Sequence, residues 1–135
     1  MRRPLTFDGP RSFLFVSARD PVAAAEAVSG WVDGPPDLCV TSPSQAAHDT
    51  LAFACPDCDA QLLDEPLLAG RLPFESGADF ASRTAEALRT LNALDTRSAL
   101  VVWDDLFTPG GRPIVCDGED LLPSADAIDR EQPSP

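Results

Sequence analysis

The side chains with the richest chemistry in this chain are few. His48 is the only histidine, all ten basic residues are arginine, and lysine and tyrosine are absent, which excludes a P-loop lysine, a Schiff base and a catalytic tyrosine. Cys55-Pro56-Asp57-Cys58 has the Cys-x-x-Cys form of a thiol-exchange pair or half a zinc site. It follows a helical pattern, where the helix dipole disfavours a thiolate. No second Cys-x-x-Cys or His pair accompanies it, and His48 precedes Cys55 by seven positions, roughly 10 Å along a helix axis and too far to share one ion. Ordinary reduced cysteines are therefore expected at Cys39, Cys55, Cys58 and Cys116, with a loop zinc site that includes Cys116 as the alternative. Asp20, Asp104 and Asp105 fall where strands end, so a carboxylate site for Mg²⁺ is conceivable. Against it stands the plainer reading of solvated or arginine-paired aspartates, with Arg19 expected to meet Asp20 or Asp104. No metal or other cofactor is expected.

The elements that must position these residues are read from period and punctuation. Ser12 to Ser17 is an apolar run of strand length, and Asp20-Pro21 supplies a cap and a first helical residue for a helix to about Val32. After Gly34-Pro35-Pro36, Leu38 to Thr41 reads as a strand. Ser42-Pro43-Ser44-Gln45 resembles a capping box opening a helix that runs to about Cys55. Ala60 to Leu63 is a further short strand. From Gly77 to Leu94 the apolar residues Phe80, Thr84, Ala87, Leu88, Leu91 and Leu94 recur at helical spacing. Ser98 to Trp103 returns to strand, and Arg112 to Cys116 adds a last one. Strands alternating with helices favour a three-layer α/β/α domain with a mostly parallel sheet. Residues 1–122 are expected to form that single domain, and residues 123–135 a flexible polar tail.

Composition narrows the partners. A chain of 135 residues with 44% hydrophobic content can bury one core. A formal charge of -12 with scattered arginines offers no stripe for nucleic acid or an anionic membrane surface. No apolar run is long enough to span a bilayer. Asp8, Gly9 and Pro10 interrupt any signal-peptide reading of Arg2, Arg3 and the run Phe13 to Val16. A cytoplasmic protein is expected, from a high-GC bacterium by its arginine, alanine and proline usage. Its partner, whether a protein or a small molecule, is not identified, and a homo-oligomer is left open.

Five segments in order resemble the histidine phosphatase superfamily, the group that includes phosphoglycerate mutases, over Ser12 to Asp105. They are Phe15-Val16-Ser17-Ala18-Arg19-Asp20 in place of a strand ending Arg-His-Gly-Glu; Thr41-Ser42-Pro43 with Ala47 and Thr50; Asp64 to Ala69; Phe80, Arg83 and Leu88; and Val101-Val102-Trp103-Asp104-Asp105 in place of Val-Val-Ser-His-Gly. The resemblance implies a histidine-phosphatase-like fold with a truncated C-terminal region. It also implies that Ala18 stands at the nucleophile, Ser17 and Ala46 at the two phosphate-holding arginines, Ala69 at the acid and Asp104 at the second histidine. A mechanism that needs two histidines cannot run on one, so no catalytic residue is expected, and the site should repel phosphate rather than hold it. His48, placed within a helix, reads as a surface or helix-packing residue. The chain is thus expected to be a non-catalytic binding, regulatory or assembly module, with Arg19, Asp20, Trp103, Asp104 and Asp105 as the residues nearest any inherited ligand site. Trp103 reads as core filling the vacated pocket rather than as a ligand platform. The alternative is an enzyme of altered chemistry that uses Asp20, Asp104 and Asp105 with a cation, or His48 as acid or base.

Overall fold

The computed structural model describes residues 11–31, 35–56 and 58–130. Five strands, β1 (Ser12–Ser17), β2 (Leu38–Thr41), β3 (Gln61–Asp64), β4 (Ser98–Trp103) and β5 (Ile114–Asp117), form one sheet in the order β3-β2-β4-β1-β5. All neighbours are parallel except β5, which runs antiparallel to β1. Strands β1 and β4 are buried along their whole length, which is why SFLFVS and SALVVW read as unbroken apolar runs rather than alternating ones.

The helices are α1 (Pro21–Gly30), α2 (Gln45–Ala54), α3 (Gly77–Asn92) and α4 (Leu121–Arg130). Alternate side chains of each central strand enter opposite layers. Phe13, Phe15, Ala99, Val101 and Trp103 pack with Leu88 and Leu91 of α3 and with Leu121 and Ala125 of α4. Leu14, Val16, Leu100 and Val102 pack with Ala24 of α1, Ala47 of α2 and Trp31, whose indole donates to Ser12 Oγ at 3.1 Å. The mostly parallel three-layer expectation is met, with the helices in two pairs.

Two expectations need correction. Residues 123–130 are not a frayed tail: they belong to α4, with Ala125 buried and Ile128 against the core. Arg89 of α3 clamps α4 by donating to Asp126 at 3.2 Å and Asp129 at 2.5 Å. Pro123 is tolerated because it lies in the first helical turn, where a backbone N–H has no intrahelical partner to lose. Residues 131–135 lie outside the described residues. The second correction concerns α2, whose cap is Ser44, accepting from the Ala47 N–H at 3.1 Å. Ser42 is engaged elsewhere, and the Gln45 amide reaches Asp49 at 2.8 Å instead of closing a capping box.

Candidate functional site

The register of the parallel strands fixes what meets at their carboxyl ends. Ser17 pairs with Trp103, and Thr41 with Val102 and Asp64, so Ala18, Ser42, Glu65 and Asp104 leave the sheet along one edge. In open parallel sheets this edge is where ligands bind. Here it is crossed by internal hydrogen bonds. Asp104 Oδ2 accepts from Ser42 Oγ at 2.7 Å and from the Gly70 N–H at 3.1 Å, and its Oδ1 accepts from Ser44 Oγ at 2.5 Å. The Asp104 N–H donates to the Leu68 carbonyl at 3.1 Å. One half-buried carboxylate therefore ties β4 to the start of α2 and to the turn at Leu68–Gly70. Ser44 serves twice, its oxygen capping α2 while its hydroxyl proton goes to Asp104.

Gly70 approaches both carboxylates closely. A Cβ there would stand 2.9 Å from Asp105 Oδ2 and 3.4 Å from Asp104 Cβ, so a larger residue would have to push the Asp105 carboxylate aside. Arg83, from the second turn of α3, fixes the turn from behind. It donates to the carbonyls of Leu67, Ala69 and Gly70 at 3.1, 2.7 and 3.0 Å and grips both Glu75 oxygens at 2.7 and 2.9 Å. Those bonds hold the Glu75 carboxyl down to about 2 from an ordinary 4.5.

The candidate residues separate into three groups. Asp104 and Asp105 meet at the strand ends, but as hydrogen-bond junctions: Asp105 accepts from Arg19 Nε and from the Arg71 N–H at 3.0 Å, and the Arg19 hydrogen bond lowers its pKa. In place of the expected pairing with Asp20 or Asp104, Arg19 pairs with Asp105. Asp20 does not join them, because its Oδ1 caps α1 by accepting from Ala23 N–H at 3.0 Å. The three aspartates consequently do not converge on one ion's position, and among the described residues no cluster of three ligating side chains could hold a metal. Trp103 points away from the rim into the α3 and α4 layer, edge-on to Phe15 and Phe107 with ring centres 5.5 and 5.4 Å away. It fills core there rather than the strand-end pocket.

Around the positions that the family resemblance singles out, Ser17 is buried and its Oγ accepts from the Arg19 N–H at 3.1 Å. Ala18 is buried, Ala46 is exposed on the first turn of α2, and Ala69 offers its carbonyl to Arg83. Sequence reasoning missed Ser42, Ser44 and Gly70 as the partners of Asp104, and Arg83 as the clamp. The available signal was an aspartate directly after a fully buried strand, which requires local donors.

A second polar group lies on the α2 side. His48 Nε2 meets Asp64 Oδ1 at 2.8 Å, and Thr41 Oγ1 donates to the same oxygen at 3.0 Å. His48, Cys39, Cys55 and Cys58 line one cavity of about 290 Å³. Cys116 packs against the opposite layer, which rules out the loop zinc site that combined it with Cys55 and Cys58.

No protein-family profile and no curated protein matches this sequence. Among solved structures the chain is similar to one named as a candidate phosphohistidine phosphatase, SixA, from Nakamurella multipartitia, at 22% identity and a TM-score of 0.48. The match covers 70% of this chain and spans 59% of the length of that one. No helix among the described residues is long and apolar enough to cross a membrane.

Proposed function

We propose that this chain is a non-catalytic, histidine-phosphatase-like domain in which the strand-end pocket has become a structural junction, leaving a binding, regulatory or assembly role to its outer surfaces. The observation that carries the reading is the Asp104 carboxylate with its three internal donors. A phosphoryl site needs cationic or N–H donors directed at an incoming anion. At this edge the Ser42, Ser44 and Gly70 donors already serve a carboxylate of the chain itself, and Arg19 and Arg83 are engaged by Asp105 and Glu75. An incoming phosphate would meet Asp104 as a like charge and would have to displace its hydrogen bonds.

The test is turnover of an aryl phosphate by the purified chain, run beside melting temperature against phosphate at constant ionic strength. No turnover and no saturable stabilisation are expected. A ligand at a hundred times its dissociation constant would add about 2.7 kcal/mol, a shift the melting assay registers readily. Turnover that survives further purification and disappears in His48→Ala would overturn the proposal. So would saturable protection by phosphate that is strengthened in Asp104→Asn.

A further inference from the structure

Cys39 Sγ and Cys58 Sγ lie 3.4 Å apart, although the residues are 19 positions apart in sequence. Cys39 is buried on β2, held between Leu62 of β3 and Leu100 of β4 by the sheet register. Cys58 is half-buried in the connection from α2 to β3, where its N–H donates to the Cys55 carbonyl at 3.2 Å. Both residues line the 290 Å³ cavity, whose remaining wall includes Leu51 and Ala60. A disulfide needs an S–S distance of about 2.05 Å, so a small movement of the connecting segment brings the pair to bonding distance while Cys39 stays fixed in the sheet. The sequence motif suggested Cys55 as the partner of Cys58; the fold supplies Cys39.

We propose that Cys39 and Cys58 are a peroxide-sensitive pair that closes into an intramolecular disulfide, cross-linking the central sheet to the α2–β3 connection. Cys58 is the sulfur the oxidant meets first, because it is half-buried while Cys39 is only 2% exposed, and burial, together with its hydrogen bond to Cys58, pushes the Cys39 thiol up. As Cys58 gives up its thiol proton, its sulfur attacks one oxygen of hydrogen peroxide, the O–O bond breaks, and the departing hydroxide leaves as water with the proton that Cys58 released. Cys58 is then a sulfenic acid. The Cys39 sulfur attacks that sulfur, the S–O bond breaks, and the hydroxide leaves with the Cys39 proton as a second water. Two electrons, one from each sulfur, have reduced one peroxide to two waters. The cross-link shortens the accessible conformations of the unfolded chain and should raise the melting temperature by roughly 5–10 °C.

The experiment treats the folded full chain with hydrogen peroxide, blocks remaining thiols, and measures intact mass and cross-linked peptides. The expected result is loss of two hydrogens, a peptide joining Cys39 to Cys58, a raised melting temperature, and reversal of all three by a dithiol reductant. Cys55→Ser should keep the cross-link, and Cys58→Ser and Cys58→Ala should abolish it while retaining the native circular dichroism. The same treatment in urea should scramble the linkages. A cross-link that runs through Cys55, oxidation that stops at sulfinic acid without a disulfide, or purified protein carrying a stoichiometric metal ion that is lost in Cys58→Ser would each overturn the proposal.

Discussion

The two faces of the sheet are built differently. On one, α3 and α4 cover Phe13, Phe15 and Trp103 with leucines, and the packing is pinned by Arg83 and Arg89, each joined to carboxylates and so bridging separate elements. On the other, α1 and α2 present alanines to the sheet, Val22 and Phe53 face outward, and the space left between α2 and β2 is the thiol-lined cavity. Large buried side chains contribute most of the stability available to a domain. The first face, with Trp103, Phe13, Phe15, Leu88 and Leu91 fully buried, therefore carries the larger share of that burial, while the second leaves a cavity between α2 and the sheet. Asp104 stands at the seam, joining the α2 cap to the turn that Arg83 holds.

Removing α4 is the most severe challenge to this contrast. A chain ending at Leu122 loses the burial of Ala125 and Ile128 and both partners of Arg89. It should lose on the order of 3–5 kcal/mol and melt about 10 °C lower or without cooperativity. An unchanged thermal melt would break the claim that this face carries the larger share of the stabilising burial. Next in size is the seam itself. Asp104→Ala leaves the Ser42 and Ser44 hydroxyls and the Gly70 N–H without their acceptor and should cost about 2–4 kcal/mol in a denaturant titration. Asp104→Asn, which keeps one acceptor oxygen, should cost less. Equal losses in the two variants would show that shape, not acceptance, matters there.

Acid sharpens the same comparison, because Glu75 belongs to the clamp on the first face. Its folded-state pKa, depressed to about 2 from 4.5, means that its stabilisation is present above the ordinary value and is lost as pH falls from 4.5 towards 2. Wild type should therefore melt higher than Glu75→Gln at pH 6, with the gap narrowing through pH 3. A gap that does not change with pH would assign the effect of Glu75 to packing.

What could be read from sequence followed burial. β1, β4 and α3 are long, strongly patterned and buried on the expected sides, and their bounds differ from expectation by at most two residues. Helix α4 was missed because Pro123, Ser124 and Asp126 give Leu121 to Arg130 a polar look, and its apolar residues become a stripe only against α3. The site was harder still. Asp104 was singled out, yet its partners lie 34 to 62 positions away, and hydroxyls that read locally as caps acquired their second role only when the strands were brought into register. The nearness of Cys39 to Cys58 has the same origin, since it depends on β2 and β3 being neighbours.

The smallest expected effect tests the quiet half of the comparison. His48 Nε2 and Asp64 Oδ1 form a hydrogen-bonded pair whose side chains are 35% and 50% exposed, at the outer edge of the α2 side, where β3 is exposed along its length. Water screens such a pair and holding two mobile side chains together offsets much of the attraction, so it is worth about 0–1 kcal/mol. Thr41 Oγ1 would retain its hydrogen bond to Asp64 in His48→Ala, and the wall of the cavity would lose only an imidazole. His48→Ala should accordingly shift the denaturant midpoint by no more than that amount. If the variant instead loses as much as Asp104→Ala, the second face carries stability through His48 that its exposure does not suggest, and the division of labour between the two faces fails.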